Sequence, residues 1–192
     1  MKKVLVINGN PNPASLGHSL AETYYKNALK AGKEVEIIHI HQMSFNPVLT
    51  GYISDRMPDE PAVVEARQKI KAAEHIVLVY PVWWGSTPAL LKGFIDRVFS
   101  PGFAFKYHKN DPWWDKLLTG KTAEIIVTMD SPSFWDKWVY FRSSINSIKK
   151  ATFWFCGIKT QKVTIFDSIR DRKPNEIEKI IEKVAQMASK AS

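Results

Sequence analysis

The sequence predicts a single α/β domain over residues 1–192, a three-layer, doubly wound sheet of five parallel strands in the order 2-1-3-4-5. Three observations predict it. Uninterrupted apolar runs, Val4-Leu5-Val6-Ile7 and Ile76-Val77-Leu78-Val79-Tyr80, have strand length and the pattern of strands buried on both faces. Each run ends in a loop of Gly, Pro, Asn or Ser that leads into apolar residues at helical spacing. Such strand and helix patterns alternate to the end of the chain, without internal repeat or low-complexity segment.

The first strand, residues 3–8, runs into Gly9-Asn10-Pro11-Asn12-Pro13-Ala14-Ser15. Ser15 is placed to cap a helix whose apolar side carries Leu16, Leu20 and Tyr24 and which ends at Gly32. Residues 34–40 form the second strand. Residues 43–61 form a loop longer than most connections of such sheets, a candidate lid or subunit contact. A helix over 61–73 places Val64, Arg67 and Ile70 on one side. The third strand stops at Pro81, which cannot extend a central strand, and a helix begins at Pro88 with Leu91, Phe94, Ile95 and Val98 inward. Phe103, Phe105 and Tyr107 alternate, which points three rings to one side of an extended segment. The fourth strand covers 121–128. One long helix follows, in which Trp138, Phe141, Ile145, Ile148 and Phe155 keep helical period until Gly157. A fifth strand at 160–166 and an amphipathic helix at 175–188 close the domain.

Composition bounds the function. The chain has 27 Lys and Arg against 19 Asp and Glu, and residues 101–173 alone carry 13 against 7. That excess suits a basic rim for an anionic ligand. The basic residues are scattered and form no nucleic-acid-binding pattern, so no nucleic-acid partner is expected. One cysteine, Cys156, excludes an intrachain disulfide and is expected to pack in the core as an unreactive thiol. The apolar run after Met1-Lys2-Lys3 is four residues long, too short for a secretory leader, and no span is long enough for a membrane helix. Cytoplasmic localisation without membrane insertion is the expectation.

In the predicted strand order the loops after strands one, three and four, residues 9–16, 81–87 and 129–133, meet at the topological switch point. The first offers free backbone amides at a helix N-terminus, a place for phosphate. It has neither the Gly-Lys-Ser/Thr of a Walker loop nor G-x-G-x-x-G. The second carries Trp83 and Trp84, either a wall for a flat aromatic ligand or core and interface residues. The third is polar. Together they suit a flavin nucleotide. His39 and His41 are an i, i+2 pair without further ligands in the sequence, so no metal is expected.

The run Tyr80-Pro-Val-Trp-Trp-Gly-Ser-Thr-Pro-Ala-Leu-Leu-Lys-Gly-Phe-Ile-Asp-Arg-Val-Phe, then Gly102-Phe-Ala-Phe-Lys-Tyr, resembles the flavodoxin-like NAD(P)H:quinone oxidoreductases. That group includes general-stress NAD(P)H oxidoreductases and ancillary flavoproteins of potassium efflux. The likeness extends through Val127-Thr-Met-Asp-Ser-Pro and Phe155-Cys-Gly-Ile. It implies hydride transfer from NADPH or NADH to a bound flavin, then to a quinone or similar aromatic acceptor in the same pocket, by a ping-pong mechanism. Pro81, Val82, Trp83, Trp84 and Gly85 match the loop that holds the isoalloxazine. Ser15 and Leu16 match the helix start over the flavin phosphates. Asn10 stands where relatives have histidine and Gly17 where they have asparagine, which favours FMN over the alternative, FAD. Thr128, Asp130 and Ser131 occupy the third loop, with Asp130 a departure. Phe105 and Tyr107 align with substrate-pocket tyrosines, and Tyr107 and Tyr140 are the catalytic candidates, with His108 a further candidate in kind. The resemblance further implies a homodimer, to whose interface Trp113, Trp114, Trp135 and Trp138 are suited, and permits a transporter partner. A flavodoxin-type electron carrier is the remaining alternative, although such carriers are usually acidic.

Overall fold

The structure, a computed structural model, describes residues 2–51 and 58–190. The central sheet is parallel, with strands β1 (Val4–Asn8), β2 (Val35–His39), β3 (His75–Pro81), β6 (Thr122–Thr128) and β7 (Lys159–Phe166) in the order β2-β1-β3-β6-β7. The predicted order 2-1-3-4-5 is therefore observed, the fourth and fifth predicted strands being β6 and β7. Register is set by paired apolar runs, Val6 beside Val77 and Leu78 beside Ile125. All residues of β1 and β3 are buried, as strands covered on both faces must be.

Helices α1 (Leu16–Lys30) and α6 (Pro174–Lys190) cover one face of the sheet, where Leu20, Tyr24, Val77, Val79 and Val184 pack. Helices α2 (Pro61–Ala72) and α3 (Ala89–Val98) cover the other, with Ile70, Ile76, Leu91 and Phe94. Pro88 is the N-cap of α3 rather than its first helical residue. Ile70 is buried on α2 as predicted, but Val63 and Ala66 take the buried side in place of Val64 and Arg67. Arg67 reaches instead to Asp59 and to the carbonyls of Arg97 and Val98.

Two stretches differ from expectation. The aromatic alternation lies in a small antiparallel hairpin, β4 (Phe105–Tyr107) with β5 (Trp114–Lys116). Phe105 is buried and Tyr107 is half exposed, so the rings do not share one environment. The predicted long helix is broken: α4 (Ser133–Trp138) stops, Phe141 and Arg142 take left-handed φ values of 51° and 53°, and α5 (Ser143–Asn146) restarts the chain. From Ser147 to Trp154 the helix has π geometry, which shifts side chains off the 3.6-residue period that predicted them. Ile145 and Ile148 remain buried, whereas Trp138 and Phe141 face outward. Gly157 does end the helix, at φ 98°.

The described parts of the loop before α2 are pinned. Residues 52–57 of the candidate lid lie outside the described residues. Pro47 lies on α3 at Gly93, where an added Cβ would come within 2.6 Å of the Pro47 carbonyl oxygen and 2.8 Å of its Cα. Backbone on that side cannot swing away as a side chain could. Gly93→Ala should therefore cost about 2 kcal/mol, read as a lowered urea midpoint with unchanged slope. A wild-type midpoint would mean that the loop shifts freely.

Candidate functional site

Parallel strands place their carboxyl ends on one edge. Because β1, β3 and β6 are adjacent, the loops after them stand side by side, with strands spaced about 4.8 Å apart. Hydrogen bonds tie these strand ends together: Gly9 N–H donates to the Val79 carbonyl at 2.7 Å and Val82 N–H to the Thr128 carbonyl at 2.8 Å.

The loop after β1 is built by three asparagines at alternate positions. The Oδ1 of Asn8 accepts the Asn10 amide at 3.1 Å, Asn10 accepts that of Asn12 at 2.9 Å, and Asn12 that of Ala14 at 2.9 Å. Each is a local side-chain turn of the kind asparagine favours. Asn8 and Asn10 are buried, so Asn10 shapes the loop from inside. Ser15 accepts the His18 amide at 3.1 Å and donates to the Asn12 carbonyl at 2.7 Å, capping α1. The amides of Leu16 and Gly17, first in the helix, have no intrahelical acceptor by construction and lie at its positive end. A Cβ on Gly17 would press on Asn10 Nδ2 at 3.0 Å, so the cradle is shaped to the missing side chain.

After β3 the chain turns tightly, with Trp83 and Ser86 exchanging backbone hydrogen bonds of 2.9 and 2.8 Å. Trp84 (φ 51°) and Gly85 (φ 65°) are both left-handed, the geometry of a type I′ turn. A tryptophan in that conformation is unusual, and its side chain is fully exposed at 102%, which excludes the core reading for Trp84. Trp83 is 46% exposed, and Pro81 is buried as the last residue of β3. The turn is braced from behind. Ser143 Oγ donates to the Gly85 carbonyl at 2.5 Å, and the Tyr140 ring stands 3.4 Å from where a Gly85 Cβ would be.

In the third loop Thr128 is buried and Asp130 is exposed. Asp130 accepts the Arg170 amide at 3.2 Å and so ties this loop to the segment after β7. Ser131 is half-buried. Asp136, on α4, is 1% exposed with neither carboxylate oxygen hydrogen-bonded. Burial holds it above the usual carboxylate range, opposed in part by Arg142.

Tyr140 thus stands at the aromatic turn, whereas Phe105 and Tyr107 lie elsewhere in the chain. They line a cavity of about 260 Å³ with Lys92, Asp96, Thr152 and Phe155 and with no residue of the three loops. His108 is exposed on the hairpin and faces Asp111 at 2.8 Å and Asp115 at 3.2 Å. Of the tryptophans suited to an interface, Trp113, Trp135 and Trp138 are exposed, and Trp114 donates its indole N–H to the Phe155 carbonyl at 2.8 Å. Cys156 is buried and its thiol is pushed up to about 12 by burial, the unreactive state its setting predicts.

Sequence reasoning missed Asn8, Asn12, His18 and Asp136. The asparagines carried a signal, their spacing of two in a run punctuated by Pro11 and Pro13. His18 and Asp136 had none, because their neighbours come from other elements. The residues present fit a flavin nucleotide: a backbone anion site, an aromatic turn and a polar turn share one edge. No helix among the described residues is long and apolar enough to cross a membrane.

A doubly wound sheet with these turns at adjacent carboxyl ends defines a nucleotide-cofactor-binding α/β protein. The chain belongs to the family described as Flavodoxin-like fold, which matches residues 2–191. It is 30% identical over 174 residues to an uncharacterized NAD(P)H oxidoreductase of Haemophilus influenzae, covering 86% of this chain and 83% of that protein. It is 28% identical to the ribosyldihydronicotinamide dehydrogenase [quinone] of Mus musculus, covering 82% and 78%. The crystal structure of Smu.1420 from Streptococcus mutans UA159 superposes with a TM-score of 0.83 at 30% identity, covering 97% of this chain and 98% of that one.

Proposed function

We propose that the protein is a flavin-dependent NAD(P)H oxidoreductase that reduces a quinone or a similar flat aromatic acceptor. The observation that carries this reading is the meeting of the three turns on one sheet edge, in a chain whose relatives are NAD(P)H and quinone oxidoreductases. When bound, the flavin supplies the hydride-transfer chemistry between NADPH or NADH and the acceptor. The chain binds and orients. Amides of Leu16 and Gly17, with Ser15 fixing the helix start, hold phosphate; Asn10 shapes their loop. The turn of Pro81, Val82, Trp83, Trp84 and Gly85 would hold the ring system, with Thr128, Asp130 and Ser131 contributing from the neighbouring turn. FMN is favoured because Asn10 and Gly17 stand where relatives carry histidine and asparagine, and Asn10 is buried with its Oδ1 on the Asn12 amide.

Phe105 and Tyr107 belong to the acceptor pocket through a second copy of the chain, since their own chain holds them apart from the turns. A homodimer also covers Trp84, Trp138 and Phe141, three exposed aromatic side chains. Tyr140 and Tyr107 are the candidates for steadying charge on the reduced ring. A single buried thiol suits cytoplasmic work.

The test is to purify the protein, identify released flavin by chromatography, and follow NADPH and NADH consumption with a soluble quinone. Yellow protein that yields FMN and turns over quinone is expected; failure to take up either flavin in excess ends the reading. Gly85→Val puts a β-branched residue at φ 65° against Tyr140. It should weaken flavin binding by about tenfold or more. Unchanged retention would move the ring elsewhere.

A further inference from the structure

The fold brings His18, on the first turn of α1, to His39 at the end of β2 and His41 in the turn of 3₁₀ helix after it. The sequence offered His39 and His41 no third ligand; the tertiary structure supplies one. One ring nitrogen from each of the three lies within 4.8 Å of those of the others. The His18 and His39 rings stack at 4.8 Å, and His41 stands 5.6 and 5.5 Å from them.

Hydrogen bonding fixes what these rings present. Asn8 Oδ1 accepts a backbone N–H, so its Nδ2 is the donor that faces Nδ1 of His18 and Nδ1 of His39, each at 3.1 Å. Both Nδ1 atoms therefore carry lone pairs, converging on one electropositive group. His39 then holds its proton on Nε2 and donates it to Glu22 at 3.0 Å, the carboxylate–histidine arrangement that orients metal ligands. The Nδ1 of His41 is buried and has no hydrogen-bond partner.

We infer that His18, His39 and His41 form a binding site for one divalent transition-metal ion of the zinc class, with Glu22 as the outer carboxylate on His39. Three imidazoles are a donor set for Zn²⁺, Ni²⁺ or Cu²⁺ rather than Mg²⁺ or Ca²⁺, and leave a fourth coordination position open. Zinc–nitrogen bonds of about 2.0 Å put ligand atoms roughly 3.4 Å apart. Reaching that spacing from separations of up to 4.8 Å requires the rings to approach by up to about 1.4 Å and the Asn8 amide to turn aside from the two Nδ1 atoms. The ion would tie the first turn of α1, which carries the phosphate loop, to the end of β2. The site is independent of the flavin assignment.

The test is a zinc titration of chelator-treated full-length protein against a competing chromophoric chelator, with the five histidine imidazoles followed by ¹⁵N NMR. One equivalent should bind at micromolar concentration or below, shifting the signals of His18, His39 and His41 and leaving His75 and His108 in place. His41→Gln should weaken binding by about tenfold or more, and Glu22→Gln by about 10- to 100-fold. His108→Gln should leave zinc affinity unchanged. Binding that is no tighter than millimolar, or that moves His108 beside Asp111 and Asp115 instead, overturns the proposal. The NMR arm uses the unaltered chain, so a variant that fails to fold leaves the outcome decisive.

Discussion

Glu60→Ala should remove about 3–5 kcal/mol of stability, measured as a drop in urea midpoint. The Arg97 side chain is 1% exposed and reaches Glu60 Oε2 at 2.5 Å and the Pro58 carbonyl at 2.9 Å. Glu60 also accepts the Asn46 amide through its other oxygen at 3.0 Å. Truncation takes this carboxylate away from a buried guanidinium and frees the loop that carries Pro47 against α3. A guanidinium cannot shed its proton to escape this cost. The double variant Arg97→Met/Glu60→Leu should recover most of the loss, since an apolar pair avoids desolvating both charges. A single variant losing under about 1 kcal/mol would show that water reaches Arg97.

Acid should destabilise the protein well above the pH where carboxylates titrate. His75 is buried at the start of β3, with Nδ1 on Thr122 Oγ1 at 2.8 Å and Nε2 without a partner. Burial, with Lys2 and Lys33 nearby, lowers its pKa from 6.5 to about 4. The unfolded chain therefore binds this proton more readily than the folded one, and stability rises with pH across that interval. The contribution is complete above 6.5, falls as pH drops, and is gone below 4. A shift of that size is worth about 3 kcal/mol. His39 adds in the same direction. Urea midpoints from pH 7.5 to 4 should fall in the wild type and much less in His75→Gln, which cannot take the proton. Equal slopes would assign the acid sensitivity elsewhere.

The centre of the sheet was legible because β1 and β3 are buried on both faces, so Val4–Ile7 and Ile76–Tyr80 stand out as apolar runs without any alternation to misread. The three turns were legible too, since Pro81 and the asparagine-rich loop punctuate strand ends. The break at residues 139–142 was not, because Phe141 and Arg142 adopt a backbone region that glycine would have announced. The π segment then hid the true face of the helix. Ion pairs such as Arg97–Glu60, and the company His18 keeps, join residues 37 and more than 20 positions apart, and single-residue chemistry carries no trace of them. The hairpin escaped because three-residue strands are too short for a pattern.

Asn8-Gly9 is the dipeptide whose asparagine ages fastest in a free chain, by attack of the following backbone nitrogen on the side-chain carbonyl with loss of ammonia. Here that nitrogen is engaged with the Val79 carbonyl at 2.7 Å, and the Asn8 amide is held by Asn10, His18 and His39. Ring closure must wait until the strand end opens. The fraction of chains carrying aspartate or isoaspartate at position 8 after storage is thus a chemical clock for how often this corner of the sheet comes apart.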